Sequence, residues 1–508
     1  MKRRLYFFAA FAVLSIFADG FCVSTGTLTL KSAGRPRTLS GPIFGASTTA
    51  FFEHLLKDPA KAAALKTMAI GLDRFPGGSD ANFYNWRTGL IEVPASTGSS
   101  AYVRFWAKAA ANIARGMPEG VTFEQYEALS RQIGAEIILV PNLETSTVDE
   151  QKEWLKRLAR KGMVPRRIEL GNEFWVAMGN DPASLARWPD EPSSMRTMKQ
   201  YLYALKPYLP ADVKVAVQAA AGAVDVKKGK FWQRLQQWDE DLRPEPWFDA
   251  VTLHLYPQLN DVMGDPRAGM TAPTRENGMA RLNAMMARVD EGTERILQDI
   301  EGRLPGKEIW ITEWNTRGAN TAVQRGGDSE PTFPGMEMLT AARMSLVYLR
   351  HPAVTASLFF MYSFRPRDSH AMFVPDGKGG YAPVPTATAL RWLSEAANAG
   401  GTFERLVREG AEAVPGGGAK KESYLPVEGG FFESPEGATL LVENASPDTF
   451  SLDPSGFEKG RPPDRVESIT TPDLFDPSKK AAIIESQYTQ RLVSIPPFSL
   501  TRLVWSKK

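Results

Sequence analysis

Two glutamates stand in this chain where a pair of carboxylates could cleave a glycosidic bond. Glu173 falls in Arg167-Ile168-Glu169-Leu170-Gly171-Asn172-Glu173-Phe174-Trp175, and Glu313 in Glu308-Ile309-Trp310-Ile311-Thr312-Glu313-Trp314-Asn315. Each closes a short apolar run of strand type, and aromatic residues follow each. Glycoside hydrolysis asks one carboxyl to protonate the departing oxygen and a second to attack the anomeric carbon or activate water. A single glutamate of this kind reads as a solvated loop residue or the partner of a nearby cation. The same arrangement at two distant points of one chain reads as a catalytic pair that only the fold can unite.

Other residues fit around that pair. Asn172 puts an amide beside Glu173, able to hold a sugar 2-hydroxyl through a bond that strengthens as the ring flattens. Arg74, in Leu72-Asp73-Arg74-Phe75-Pro76-Gly77-Gly78, would keep the attacking carboxylate ionised and aimed; its other available partners are Asp73 and Asp80. His254 and Tyr256, in Val251-Thr252-Leu253-His254-Leu255-Tyr256-Pro257, are two residues apart on an extended run and so share a face. Tyr256 is a donor to the attacking carboxylate, and His254 orients either carboxylate or a sugar hydroxyl. Trp86, Trp175 and Trp314 follow strand ends, where an aromatic face suits the C–H face of a sugar ring. The expected substrate-binding set is Arg74, Asn142, Asn172, His254, Tyr256, Trp314 and Tyr362, of which Asn142 and Tyr362 close the third and eighth strand candidates. No metal or cofactor is expected. The four histidines, His54, His254, His351 and His370, are scattered without an HExxH spacing, and Cys22 is the only cysteine. Nor is there a Gly-x-Ser-x-Gly elbow in a strand-turn-helix setting.

The elements that must position these residues alternate in type. Strand-like runs lie at Pro42–Ser47, Met68–Phe75, Glu136–Asn142, Arg167–Glu173, Val213–Gln218, Phe248–Tyr256, Lys307–Trp314 and Val354–Tyr362, with helical patterns between them such as Ala101–Gly116, Met279–Ile300 and Gly335–Arg350. Eight βα units predict a (β/α)8 barrel, whose C-terminal strand ends carry the site. A doubly wound sheet competes, but the Gly-rich phosphate turn that announces one is missing. Beyond about residue 398 the chain turns to short strands, at Ala438–Glu443, Thr449–Leu452, Ala482–Glu485 and Leu492–Ile495, and ends on the largely alternating Phe498–Trp505. That reads as a β-sandwich, which Thr27–Lys31 could join. The expected division is 1–20 signal segment, 21–40 strand joining the sandwich, 41–398 barrel and 399–508 sandwich. Two domains suit 508 residues.

Lys2, Arg3 and Arg4 followed by the apolar run Leu5–Ala18 predict a secretory signal, and hence a secreted or periplasmic protein without stable membrane insertion once it is cleaved. Lys plus Arg total 60 against 58 Asp plus Glu, so no bulk field favours nucleic acid. The partner these residues suit is an oligosaccharide or polysaccharide.

The motifs resemble the retaining clan-A glycoside hydrolases, and within that clan the heparanase and β-glucuronidase group, family 79. The matching pieces are Arg74-Phe75-Pro76-Gly77-Gly78 with Asn82-Phe83-Tyr84-Asn85-Trp86, Glu169-Leu170-Gly171-Asn172-Glu173, Val251-Thr252-Leu253-His254-Leu255-Tyr256 and Trp310-Ile311-Thr312-Glu313. The resemblance implies that Glu173 is the acid/base, that Glu313 is the nucleophile, and that a β-glucuronide is the substrate. Phe174-Trp175 departs from the Pro that often follows the acid/base in that family. Arabinofuranosidase-like, xylosidase-like and glucosidase-like members of the clan stay open, as does a glycan-binding barrel without activity.

Overall fold

The computed structural model describes residues 25–47, 50–94, 100–220, 230–257, 275–316, 333–364, 372–417, 421–471, 473–475, 482–486 and 491–507. The expected signal segment and Cys22 lie outside them.

Eight parallel strands close into a barrel: β1 (Phe44–Ala46), β2 (Leu72–Phe75), β3 (Glu136–Leu139), β4 (Arg167–Glu169), β5 (Lys214–Gln218), β6 (Ala250–Leu255), β7 (Glu308–Trp314) and β8 (Val354–Phe359), with β8 pairing β1. Helices cover the outside, so both faces of each strand are buried and the strands read as nearly continuous apolar runs. The period of two then sorts the side chains. Leu72, Ile138, Ala216, Ala250, Trp310, Ala356 and Leu358 form a fully buried cluster inside the barrel. Two steps further along the same faces come Arg74 on β2 and Thr312 on β7, and four steps along β6 comes His254. The polar site therefore rests on an apolar plug at the C-terminal ends of the strands, where barrel enzymes carry their chemistry.

The tail builds two sheets around a second core. Gly401–Arg408, Val427–Ser434, Gly437–Asn444, Ser499–Ser506, Arg465–Thr470 and Ala482–Ser486 pair antiparallel in that order, and Leu30–Ser32 and Arg37–Leu39 add to Gly401–Arg408. Opposite them, Thr25–Leu28 and Val493–Ile495 flank Thr449–Leu452. Leu28, Leu440, Val442, Phe450, Ile495, Leu503 and Trp505 fill the space between. Gly401–Arg408, Val427–Ser434 and Arg465–Thr470 are strands that the sequence reading passes over. Charged residues hide the first and third, and Gly429-Gly430 hides the second. Those glycines are close-packing positions: a Cβ on Gly429 would lie 2.7 Å from the Leu441 carbonyl oxygen, and one on Gly430 2.7 Å from the Phe403 ring.

The expected helix Met279–Ile300 is two helices, Arg275–Ala287 and Thr293–Arg303, joined by a π turn at Arg288–Gly292. That turn delivers Asp290 to the seam between the domains. Helix Pro334–Arg350 runs along the same seam, and its Arg343 is fully buried between Asp290 (2.7 Å) and Glu443 of the sandwich (2.6 Å). Arg350 joins Asp290 to Glu428, again across the seam. Removing one partner of such a cluster strands a buried charge, which costs more than the intact pair contributes. Arg343→Ala is therefore expected to lower unfolding stability by roughly 3 kcal/mol. Denaturant titration checks this, and a loss below about 1 kcal/mol would show that the seam tolerates the bare carboxylate. Among the described residues no helix is long and apolar enough to cross a membrane.

Candidate active site

Arg74 is the centre of the site. Its guanidinium grips Glu169 of β4 in a two-point pair (Nε to Oε2 2.8 Å, Nη2 to Oε1 2.8 Å), donates to Asn172 Oδ1 (2.9 Å) and donates from Nη1 to Glu313 Oε1 (2.6 Å). Asp73, its neighbour, points the other way, accepting from Tyr126 on an outer helix. A buried cation needs such partners to avoid an uncompensated desolvation cost. Burial pulls the Arg74 guanidinium down, but the charges of Glu169 and Glu313 overcome that and hold it above its ordinary value.

Glu313 faces inward because β7 carries a bulge. Ile311 pairs with Leu253, but Glu313 pairs with His254, so one extra residue enters the strand there. On the other side Ile311 and Trp314 pair with Ser357 and Phe359, again one residue long. A bulge lets two consecutive side chains turn to the same side. Thr312 reaches Glu169 Oε1 (3.2 Å) and His254 Nε2 (3.2 Å), while Glu313 accepts from Arg74 on Oε1 and from the Tyr256 hydroxyl on Oε2 (2.7 Å). Gly78 presses on the same carboxylate: a Cβ there would lie 2.3 Å from Glu313 Oε1. Burial pushes the Glu313 carboxyl up, but the His254 and Arg74 charges and the bonds from Tyr256 and Arg74 bring it below its ordinary value. Tyr256 is 36% exposed as a residue, but its hydroxyl points into the site, where desolvation and the Glu313 charge push it well above the ordinary phenol range, so it stays a donor.

Glu173 sits in a turn rather than at the end of a strand. β4 stops at Glu169, and the chain then passes through Gly171 (φ 81°) and Glu173 (φ 52°, ψ 45°), both left-handed. Gln218 of β5 braces this turn, accepting from the Phe174 N–H (2.8 Å) and donating to the Leu170 carbonyl (3.2 Å). Asn82 donates to the Asn172 carbonyl (3.2 Å). The Glu173 carboxyl then meets His254 Nδ1 at 2.7 Å, with Glu313 Oε2 3.7 Å from the same nitrogen. Burial lowers His254, and the Glu313 and Glu173 charges outweigh it, so the imidazole holds its proton above its ordinary value.

Arg74, Asn172, Glu173, His254, Tyr256 and Glu313 thus converge. Three expected substrate contacts do not join them. Trp314, one residue past the bulge, turns outward; it is 1% exposed and packs edge-on against Tyr348 and Phe359. Asn142 spends its amide on the loop after β3, donating to Tyr84 and Thr145 and accepting from the Glu144 and Thr145 N–H groups. Tyr362 packs on Phe359 and Phe373, with its hydroxyl under the influence of outward-facing Asp73. Glu169 and Thr312 also belong to the site, although neither is among the residues expected from the sequence. The signal was available for Glu169: an ionisable residue inside a strand buried on both faces must be paired.

Glu173, His254 and Glu313 each present a ligand atom within 4.8 Å of the others, the one such group among the described residues. A cation there would have to displace the Tyr256 hydroxyl and tolerate Arg74 on Glu313. The site suits proton transfer and nucleophilic attack better than metal binding. Arg317, Arg365 and Arg367, which could meet a sugar carboxylate, lie outside the described residues.

Solved structures share this architecture over nearly the whole chain. A GH51 arabinofuranosidase from Xanthomonas axonopodis pv. citri superposes with TM-score 0.60 at 16% identity, covering 94% of this chain and 99% of that one. A family 51 α-L-arabinofuranosidase from Bifidobacterium longum gives 0.62 at 13%, covering 94% and 99%. A 4-O-α-L-rhamnosyl-β-D-glucuronidase from Fusarium oxysporum gives 0.55 at 12%, covering 95% and 100%. The fold is therefore one that these glycoside hydrolases share, a (β/α)8 barrel with a β-sandwich, and the likeness does not single out the heparanase and β-glucuronidase group. No protein-family model matches the chain, and no curated protein matches it.

Proposed function

We propose that the protein is a retaining glycoside hydrolase working by double displacement, with Glu313 as nucleophile and Glu173 as acid/base. One observation carries this reading: an oxygen of each carboxyl reaches the same His254 nitrogen (Glu173 at 2.7 Å, Glu313 at 3.7 Å), those two residues otherwise standing in unlike surroundings, so the carboxyls are close neighbours. Retaining enzymes hold their carboxyl groups ~5–5.5 Å apart, whereas inverting ones leave roughly 6.5–9.5 Å for a water. Glu313, bonded to a guanidinium and a phenol, is the anion. Glu173, shared with His254, has the more exposed side chain of the two, 19% against 8%, and faces the leaving group. In the first step a Glu313 oxygen bonds to the anomeric carbon as the glycosidic C–O bond breaks, and the proton on Glu173 passes to the departing oxygen. In the second, water gives a proton to Glu173 and its oxygen displaces Glu313. The Asn172 Nδ2 has no hydrogen-bond partner in the described residues, which supports its donating to the sugar 2-hydroxyl.

A β-glucuronide is the first choice of substrate, on the motif resemblance. An α-L-arabinofuranoside is the second, because three structural neighbours are named as α-L-arabinofuranosidases. Export rests on the basic and apolar residues 1–20. A screen of aryl β-glucuronide, β-xyloside, β-glucoside and α-L-arabinofuranoside tests the reading: turnover on none of them removes it, and turnover on one names the sugar.

The pH profile follows from the Glu313 environment. The nucleophile must be ionised, so the acid limb of kcat/KM is expected below the ordinary glutamate range. In Tyr256→Phe one donor to the anion is gone, its proton affinity rises, and the limb should move to higher pH. An unmoved limb would mean that Glu313 is not the group titrating.

A further inference from the structure

Neither step of the double displacement employs Trp175, yet the turn that carries it is built with unusual care. Phe174 is buried and stacked on Trp188, rings 3.7 Å apart and 9° from parallel. That anchors the turn, and Trp175 next to it is only partly buried, packing in part against the barrel's apolar core. Its indole stands edge-on to His254, centroids 6.5 Å apart at 71°, next to the His254–Glu173 contact. The backbone around it is left-handed at Glu173 (φ 52°), Ala177 (φ 45°), Met178 (φ 44°), Gly179 (φ 73°) and Asn180 (φ 61°). Such conformations persist where the surroundings impose them, and they concentrate at functional sites. Arg234, from the helix Lys230–Asp241, braces the two aromatic residues of this turn. It donates to the carbonyls of Trp175 (2.9 Å), Phe174 (3.2 Å), Pro189 (2.6 Å) and Trp188 (2.5 Å).

We propose that Trp175 is the platform for the leaving group: the ring bonded to the scissile oxygen, a second sugar or an arene, stacks on the indole. Arg234 is a positioning residue that holds the platform's turn. The inference rests on the glycosidase reading above. Glu173 must reach the glycosidic oxygen, so whatever lies beyond that oxygen lies beside the residues that follow Glu173. Arg74, Asn172, Tyr256 and Glu313 surround the sugar on the other side. The enzyme is thereby specific for glycosides whose leaving group presents a flat apolar face.

Two substrates of the same sugar separate this role from a merely structural one: a disaccharide, and the glycosyl fluoride, which has no ring to stack. In Trp175→Ala the ratio of disaccharide to fluoride kcat/KM should fall roughly tenfold, the scale of one aromatic stacking contact, and Trp175→Phe should restore most of it. Arg234→Lys should lower the same ratio through the disaccharide KM. A ratio unchanged in Trp175→Ala, with wild type active on both substrates, overturns the platform alone. Failure of the wild type on every fluoride and disaccharide overturns the glycosidase reading and the platform together.

Discussion

Glu313→Ala should lose about 10⁴-fold or more in turnover on every glycoside the wild type cleaves, whatever the leaving group. In the proposed double displacement both steps pass through this carboxylate: it makes the bond in the first and releases it in the second. No neighbour can replace it. Glu169, the nearest other anion on Arg74, is locked in a two-point pair and fully buried. The fold should survive, since Arg74 keeps Glu169 and Asn172, so an unchanged melting temperature separates lost chemistry from lost structure. Residual activity above one part in roughly a hundred would move the nucleophile elsewhere.

Glu173→Ala should behave differently, and the difference is the stronger evidence. Loss of a general acid costs typically 10²–10⁴-fold where the leaving oxygen needs a proton. On aryl glycosides with very acidic phenols, which leave unassisted, the first step should stay within about tenfold of wild type and the second should become limiting. Azide, small and anionic, should enter the space vacated beside His254, accelerate the second step and yield a glycosyl azide of retained configuration. Equal losses across leaving groups, without rescue, would reverse or discard the two roles.

The barrel was legible because parallel strands buried on both faces leave apolar runs that helical patterns separate, as at Glu136–Leu139 and Glu308–Trp314. The convergence of Arg74 with Glu313 was readable from strand position alone, and the 2.6 Å contact between them is what that placement implied. What strand position could not show was direction. A strict period of two would set Glu313 and Thr312 on opposite faces, and the bulge in β7 sets them on one, turning Trp314 outward against expectation. Glu173 was read as the end of β4, but pairing stops four residues earlier and a left-handed turn carries it to His254. Long-range partners such as Gln218 on that turn, or Glu169 on Arg74, have no local signature because separate strands supply them. In the tail, glycines chosen for close packing read as breakers when met in sequence alone.

The central claim is that Glu313 becomes covalently bonded to the sugar. A 2-deoxy-2-fluoro glycoside of whichever sugar the screen identifies, carrying an acidic leaving group, slows both steps but the second more, so the intermediate accumulates. Mass spectrometry of the proteolysed, inactivated enzyme reads where the label sits. The account predicts one sugar per chain, on the peptide containing Glu313, released with regained activity when an acceptor is added. A label on Glu173 instead, or steady turnover with inverted configuration and no adduct, would contradict it.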